Sequence, residues 1–472
     1  MTDPRYRATL DRLYRLRRFG MRPGLEVIRA LLDALDHPER SFRAIHVTGS
    51  KGKGSVSAIA ASLLGATGRR VGLFTSPHLV SFRERFRVGA RTIPRSAVVE
   101  GTARIEAIGE ALLSEGRIDR PPTFFEISTA LAFDWFRASR VTEAVVEVGI
   151  GGRLDATNVL DAPVGVISTI ELEHTDVLGP TLGAIAREKA GIFHRGMRAV
   201  LGELPDEADA EVERALDLAG VRAWHLGREV RVSDRTISPE GQRATFRTPH
   251  GSFEGLTLPL HGIFQAGNAA LAIAAVELLA EAEGFPLPPK AIARGLAQVV
   301  WRGRLERIAE RPPSFLDVAH TPESARAVAE SLGEILPFSD PSESVVLFGC
   351  LAGKDAERIL DQLAPLARTI VVAPVRSARA LDPAALRRAA VGRFARIVQA
   401  PDVATGYGLA RAAVGPDGLF LAIGSDYLAG ELLGRLEGRP DEEPDLSDPG
   451  LGEPSSKAFA GVPATGRTPD PA

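Results

Sequence analysis

Between Ile45 and Ser57 the sequence reads IHVTGSKGKGSVS: an apolar strand pattern, a turn carrying Gly49, Gly52 and Gly54, and a helix opening near Ser55. Few folds place those parts in that order. Glycines let backbone N–H groups turn toward an anion, and the N-terminal end of a helix adds partial positive charge there. Lys53 is then positioned for the terminal phosphates of a nucleotide, and Ser55 for the α- or β-phosphate. The commoner phosphate-loop spacing requires a glycine five residues before Gly52, where this chain has Val47, so the match is to a shorter variant. A glycine-rich turn with no ligand is the alternative. The ordered arrival of strand, glycines, lysine, serine and helix weighs against it.

A strand feeding such a loop belongs to an α/β sheet, and the rest of the chain agrees. Strands are expected at Arg43–Thr48, Arg70–Thr75, Glu143–Gly149, Val164–Ile170 and Met197–Gly202. Helical periodicity falls between them, near Gly54–Gly65, Arg95–Leu113, Phe124–Ala138 and Leu182–Ala190. Strands too apolar to face water, alternating with helices, predict a mainly parallel sheet covered on both faces. Val221–Pro259 is polar and turn-rich, and is expected to add antiparallel strands at the rim. Helices at Gly267–Glu283 and Pro289–Val299 follow. Past Trp301–Pro313 the alternation restarts, with strands at Ser314–Val318, Val345–Phe348, Thr369–Ala373 and Gly418–Ile423. The helices expected there are Glu323–Leu332, Ala356–Ala367, Pro383–Ala390 and Ala404–Val414. The reading is two domains, 1–300 and a smaller 301–438, hinged at WRGRLER, with a polar, Pro/Gly-rich disordered tail over 439–472.

Composition narrows the partners. A formal charge of −3 gives no electrostatic footprint for nucleic acid. No apolar run approaches the roughly 20 residues of a transmembrane helix, and the arginine-bearing N-terminus has no apolar core of a secretory signal. With one cysteine, Cys350, an intrachain disulfide framework is excluded, and a cytoplasmic protein is expected. Of the 57 basic residues only six are lysine: Lys51, Lys53, Lys189, Lys290, Lys354 and Lys457. A chain that uses arginine for generic positive charge leaves lysine where an amine or a compact charge is needed.

Three polar residues stand at or just beyond strand ends, where open α/β sheets bind ligands: Ser76, Glu147 and His174. Glu147 lies late in the apolar AVVEVG, where a bare carboxylate is expensive to bury. A hydroxyl, a carboxylate and an imidazole suit one divalent cation completed by phosphate oxygens. Ser76 as a helix cap and His174 as an ordinary loop histidine are the plainer readings. Lys189, in IAREKAGIF, is either a solvated helix residue or an amine that takes up CO₂ and becomes an anionic ligand, which arginine cannot do.

The blocks FGMRPGLEVIRALL, HVTGSKGKGS, GLFTSPHLVSFRERFRV, TFFEISTALAF, VEVGIGGRLDATNV, EHTDVLGPTLGAIAREKAGIF, FQAGNAALA, WRGRLE, LDVAHTPES, FGCLAGKDA and GSDYLAGE occur in order from about Leu13 to Gly434. Together they resemble the folylpolyglutamate synthase/dihydrofolate synthase family within the Mur ligase superfamily. The resemblance implies a P-loop-type Mur ligase central domain and a smaller Rossmann-like C-terminal α/β domain. It implies that Gly52, Lys53, Gly54 and Ser55 hold ATP phosphates, joined by Asn268, Arg304 and Asp317. It assigns Ser76, Glu147 and His174 to Mg²⁺ and makes Lys189 a carbamylated lysine near a second ion, with Lys53, Lys189 and His174 as the catalytic set. Thr123, Phe124, Phe125 and Glu126, with Leu154, Asp155 and Ala156, match the pterin or folate pocket, and His320 and Ser425 the approach to glutamate. Read alone, Phe124 and Phe125 are core residues as readily as a stacking surface. Departures from the usual pattern include Ser50-Lys51 in the loop, Glu173 for an aspartate, Arg302 for a proline, VAHTP for GAHNP, and Asp426 for an apolar residue.

The activity implied is an ATP-dependent amide ligase adding L-glutamate to dihydropteroate and to the γ-carboxylate of reduced folates, through an acyl phosphate. Its partners would be those small molecules, with no nucleic acid or membrane, and a monomer is expected. Three alternatives stay open: only one of the two activities, a Mur-type ligase for another acceptor such as a cell-wall precursor, or a nucleotide-binding protein without ligase chemistry.

Overall fold

Two amphipathic helices open the chain in a computed structural model that describes residues 3–16, 24–337 and 339–439. α1 (Pro4–Arg15) is started by Asp3, whose side chain accepts the Arg5 N–H; α1 buries Tyr6, Leu10 and Leu13, and α2 (Glu26–Ala34) buries Val27, Ile28, Leu31 and Leu32. β1 (Arg43–Thr48) then runs into the glycine loop, and α3 (Lys53–Ala66) begins directly after it. β2 (Val71–Phe74), β3 (Phe86–Val88), β4 (Arg91–Thr92), α4 (Arg95–Ser114), α5 (Phe124–Ala138) and β5 (Glu143–Glu147) follow. Next come β6 (Val164–Ile167), α6 (Thr175–Leu178), α7 (Leu182–Ala190), β7 (Arg198–Leu201), α8 (Asp206–Ala219) and β8 (Arg222–His225). Their eight strands form one sheet, ordered β4-β3-β2-β5-β1-β6-β7-β8. The pairings from β2 to β8 are parallel, and β3 and β4 are antiparallel.

Alternate residues of the central strands point to opposite faces, and here both faces are apolar. Ala44, Ala144 and Val146 join a core with α1, α2, α4, α5, α7 and α8. Ile45, Val47 and Val145 join a second core with α3 and two later helices. Those are α9 (Gln265–Glu283) and α10 (Pro289–Ala297), which come after an antiparallel sheet of β9 (Arg231–Ser238), β10 (Gly241–Thr248) and β11 (Gly251–Leu258). α9 is nearly all Ala, Leu, Ile and Val through its middle, as a helix covered on every side must be.

The second α/β unit begins with β12 (Glu306–Ala309), β13 (Ser314–Leu316), α11 (Pro322–Ile335), β14 (Val345–Phe348) and α12 (Ala356–Leu363). It continues through β15 (Thr369–Val372), α13 (Pro383–Ala390), β16 (Arg396–Gln399), α14 (Val403–Ala413), β17 (Phe420–Ile423) and α15 (Asp426–Leu436). The strand order is β12-β13-β17-β14-β15-β16, with β12 antiparallel and the others parallel. Leu79 and Val80, just after β2, pack with Leu316 and Val318 of this unit.

Two expectations need correction. Arg222–His225 is not an antiparallel rim strand; it extends the main sheet in parallel beside β7. Its edge position explains the polar sequence that misled, since one side of it is solvated. The WRGRLER segment read as a hinge also contributes structure, because its last two residues, Glu306 and Arg307, begin β12. The expected disordered tail lies outside the described residues apart from Arg439. Among the described residues no helix is long and apolar enough to cross a membrane.

Candidate nucleotide and ligase site

β1 sits between β5 and β6, so the loop after β1 opens at the carboxyl edge of the sheet, flanked by residues leaving both neighbours. Gly52 caps α3 in a left-handed conformation, φ +82°, and a β-carbon there would lie 2.6 Å from Asn268 Oδ1. That position therefore requires glycine on both counts. Lys53 turns its Nζ back over the loop and donates to Gly49 O at 2.7 Å and Ser50 O at 3.3 Å. The loop is pinned from the β6 side: Ser50 N–H donates to Thr169 O and Lys51 N–H to Thr169 Oγ1. Ser168 Oγ donates to Lys51 O at 2.5 Å. Ser55 is buried in the first turn of α3.

Lys189 arrives from α7 with only 1% of its surface exposed, so the solvated-helix reading is overturned. Its Nζ donates to the same Gly49 O at 2.9 Å and to Glu173 Oε1 at 2.9 Å. Burial, assisted by the Lys53 ammonium and opposed by Glu173, pulls the Lys189 amine down to about 8. Burial would raise Glu173, yet Lys53 and Lys189 hold its carboxyl at about 2. Next to Glu173, His174 adopts φ +47° ahead of α6. Burial and the nearby Lys53 and Lys189 lower the His174 imidazole, which keeps it neutral and able to act as a ligand.

On the other side of β1, the Ser76 N–H donates to Glu147 Oε2 at 3.0 Å, at the end of β5. Glu147 is 4% exposed. Ser76 and Glu147 are thus in contact, while His174 joins the lysine group across the loop. A hydroxyl, a carboxylate and a neutral imidazole around a phosphate-loop edge are a donor set that fits Mg²⁺, which keeps several positions for water and phosphate.

The second unit brings its own residues to this edge. Asp317, after β13, accepts N–H bonds from Leu305 and Ala319, both at 2.6 Å. Burial raises its carboxyl to about 6, with Arg304 opposing and Asp426 assisting. His320 is held low by burial and by Lys354 and Lys51, against the pull of Asp426. Lys51 of the loop and Lys354 of the second unit therefore share one electrostatic neighbourhood. Arg304 Nη1 donates to Gly303 O at 3.2 Å, and Asn268 Nδ2 to Gln265 Oε1 at 3.0 Å. Ser425 is occupied locally, donating to Gly349 O and accepting the Leu428 N–H as the cap of α15.

The residues matched to a pterin pocket are largely committed to structure. Thr123 and Glu126 form a reciprocal capping box at α5, and Arg120 grips Glu126 with two bonds. Phe124 is fully buried against Tyr14 and Phe82. Phe125 is half-buried, beside Phe74 and over Gly149. Asp155 accepts the N–H groups of Gly149, Ile150 and Thr157, fixing the turn that carries half-buried Leu154 and buried Ala156, and burial raises its carboxyl to about 6. Of these, Thr123, Phe125 and Leu154 are only half-buried, and Thr123 is taken up by its cap.

Against known proteins, the Mur ligase middle domain matches residues 47–276 and the Mur ligase glutamate ligase domain matches 303–426. A folylpolyglutamate synthase of Lacticaseibacillus casei is 38% identical over 74% of this chain and 80% of its own length. The chain belongs to the folylpolyglutamate synthase/dihydrofolate synthase family of Mur ligases. A dihydrofolate synthase/folylpolyglutamate synthase of Mycobacterium tuberculosis is also 38% identical, over 79% of this chain and 78% of that one. The structure of Mycobacterium tuberculosis folylpolyglutamate synthase complexed with ADP and AMPPCP aligns with a TM-score of 0.82 at 34% identity, covering 92% of this chain and 99% of that one. The protein is an ATP-dependent amide ligase.

Two residues of this Mur ligase escaped a functional role in the sequence reading. Glu173 is the anionic partner of Lys189, and only its departure from the family pattern had marked it. Lys354 carried a signal, being one of six lysines in an arginine-rich chain, but nothing in the sequence places it beside Lys51.

Proposed function

We propose that this ligase adds L-glutamate both to dihydropteroate and to the γ-carboxylate of reduced folates. The acceptor carboxylate attacks the γ-phosphorus of ATP, ADP leaves, and the amine of glutamate then displaces phosphate from the acyl phosphate. Lys53 compensates charge on the γ-phosphate, and Gly52, Gly54 and Ser55 present the loop and the first turn of α3 to the phosphates. Asn268, Arg304 and Asp317 hold the nucleotide from the remaining sides. Ser76, Glu147 and His174 would hold Mg²⁺, which supplies charge neutralisation at the phosphates when bound. Lys189 would carry a carbamate serving a second ion; an amine at about 8 keeps a reactive neutral fraction near pH 7. Phe125, Leu154 and their neighbours would receive the pterin, and His320 and Ser425 the incoming glutamate. The working unit is a cytoplasmic monomer with domains 1–300 and 301–438.

The observation carrying this reading is the meeting of Lys53 and Lys189 at one carbonyl, Gly49 O, beside Glu173 and His174. Two cations gathered over a phosphate loop leave a strong preference for an anion there. The second activity draws support from the Mycobacterium tuberculosis relative, whose name carries both; the Lacticaseibacillus casei relative, named for one, favours the single-activity reading. Phosphate release with Mg-ATP and L-glutamate, in separate reactions with dihydropteroate and tetrahydrofolate, decides. Turnover with both is expected. Turnover with one selects the single activity, and turnover with neither contradicts the folate assignment.

A further inference from the structure

Trp301 lies in the short stretch between α10 and Arg304. A β-carbon on Gly54, the second residue of α3, would stand 2.7 Å from Trp301 Cζ2, 3.3 Å from Cε2 and 3.4 Å from Nε1. The edge of the indole thus fills the side-chain position of the first turn of the phosphate helix. Two residues on, the chain is gripped again: a β-carbon on Gly303 would lie 2.8 Å from Leu79 Cδ1 and 3.2 Å from Val318 Cγ1. Leu305 then takes φ +46° and its N–H is fixed by Asp317 Oδ2. Residues 301–305 are therefore held at one end by α3 and at the other by the carboxyl edge of the second sheet.

One buried donor lies at this turn, and a second lies one contact away, behind the Asn268 that faces Gly52. Trp301 Nε1 has no acceptor, and neither has Gln265 Nε2, whose Oε1 is taken by Asn268. Buried N–H groups without acceptors are uncommon and mark places where the arrangement changes or a ligand completes it.

We propose that Trp301 is a nucleotide-positioning residue, whose indole sets the first turn of α3, and with it Lys53, against Arg304 and Asp317 across the link. This rests on the nucleotide role given above to those residues. The indole does not need to touch ATP. It transmits displacement between the two groups that do, so nucleotide binding moves it and its loss loosens the nucleotide before it slows the chemistry.

The chain has three tryptophans, so W135F/W224F leaves Trp301 as the single indole. Mg-AMPPCP is titrated into this variant while binding is measured in parallel by equilibrium dialysis on it and on the unmodified protein. An emission change saturating with the dialysis isotherm is expected; normal binding with unchanged emission would overturn the proposal. If the unmodified protein binds no nucleotide, the reading of the loop itself fails. In steady-state assays, W301F is expected to raise KM for ATP about tenfold while kcat and KM for glutamate stay within about twofold. G54A, whose β-carbon would stand 2.7 Å from the indole and force it to shift, should lose nucleotide affinity and regain part of it in G54A/W301A. Equal losses in all constants, or strictly additive effects of the two substitutions, would return Trp301 to a packing role.

Discussion

Lys53 and Lys189 donate to the same carbonyl oxygen, so two amines sit close together with Glu173 as their shared counter-charge. At an effective dielectric constant of 20, unit charges 4 Å apart repel by about 4 kcal/mol. That repulsion is relieved by an anion at the loop or by conversion of one amine to an anionic form. K53A is expected to abolish ATP-dependent turnover. K189R, which keeps the charge but cannot take up CO₂, is expected to fail as well, and the unsubstituted protein should lose rate in CO₂-depleted buffer and recover it with bicarbonate. A fully active K189R protein would leave Lys189 as an ion-pair partner alone. The sequence marked Lys189 because lysine is scarce among so many arginines. Glu173 carried no comparable signal, since acidic residues are plentiful and its partner comes from α7, sixteen positions away.

Among elements, those with clear start signals were legible in advance. α5 begins at Phe124 as expected, because Thr123 and Glu126 spell a capping box ahead of an apolar run. T123A should cost about 1 kcal/mol of stability by chemical denaturation, with T123S restoring most of it. A T123S protein that is stable yet inactive toward pterin acceptors would add a substrate contact to the cap. β8 does not read as part of the main sheet because edge strands tolerate polar side chains, and β16 gives no strand signal for the same reason, with exposed Arg396 and Gln399 at its ends. α9 hides a different feature. Glu277 is buried there, with Oε2 unbonded, and burial raises its carboxyl from 4.5 to about 7. Between those pH values the folded protein keeps a proton that the unfolded chain has released. Stability therefore falls as pH rises through this window, by an amount on the order of 3 kcal/mol. E277Q should flatten that slope in denaturation curves taken from pH 4.5 to 8; an unchanged slope would mean that Glu277 ionises without penalty.

Over the whole molecule, the eight-stranded and six-stranded sheets present their carboxyl edges to a common space. Leu79 and Val80 pack on Leu316 and Val318, and Arg235 pairs with Glu334 across the two units. Both sheets were legible from strand–helix alternation, because parallel sheets need apolar strands and covering helices. Their relative placement was not, since it depends on long-range packing and on the left-handed turn at Leu305. The placement brings the phosphate loop of one unit toward His320 and Lys354 of the other, and the proposed activation of a carboxylate by ATP rests on that meeting. The most direct test uses an acceptor labelled with ¹⁸O in its reacting carboxylate, and mass spectrometry of the phosphate released on ligation to glutamate. Attack of the carboxylate on ATP predicts one labelled oxygen per phosphate at full enrichment. Unlabelled phosphate, with amide product formed, would contradict it.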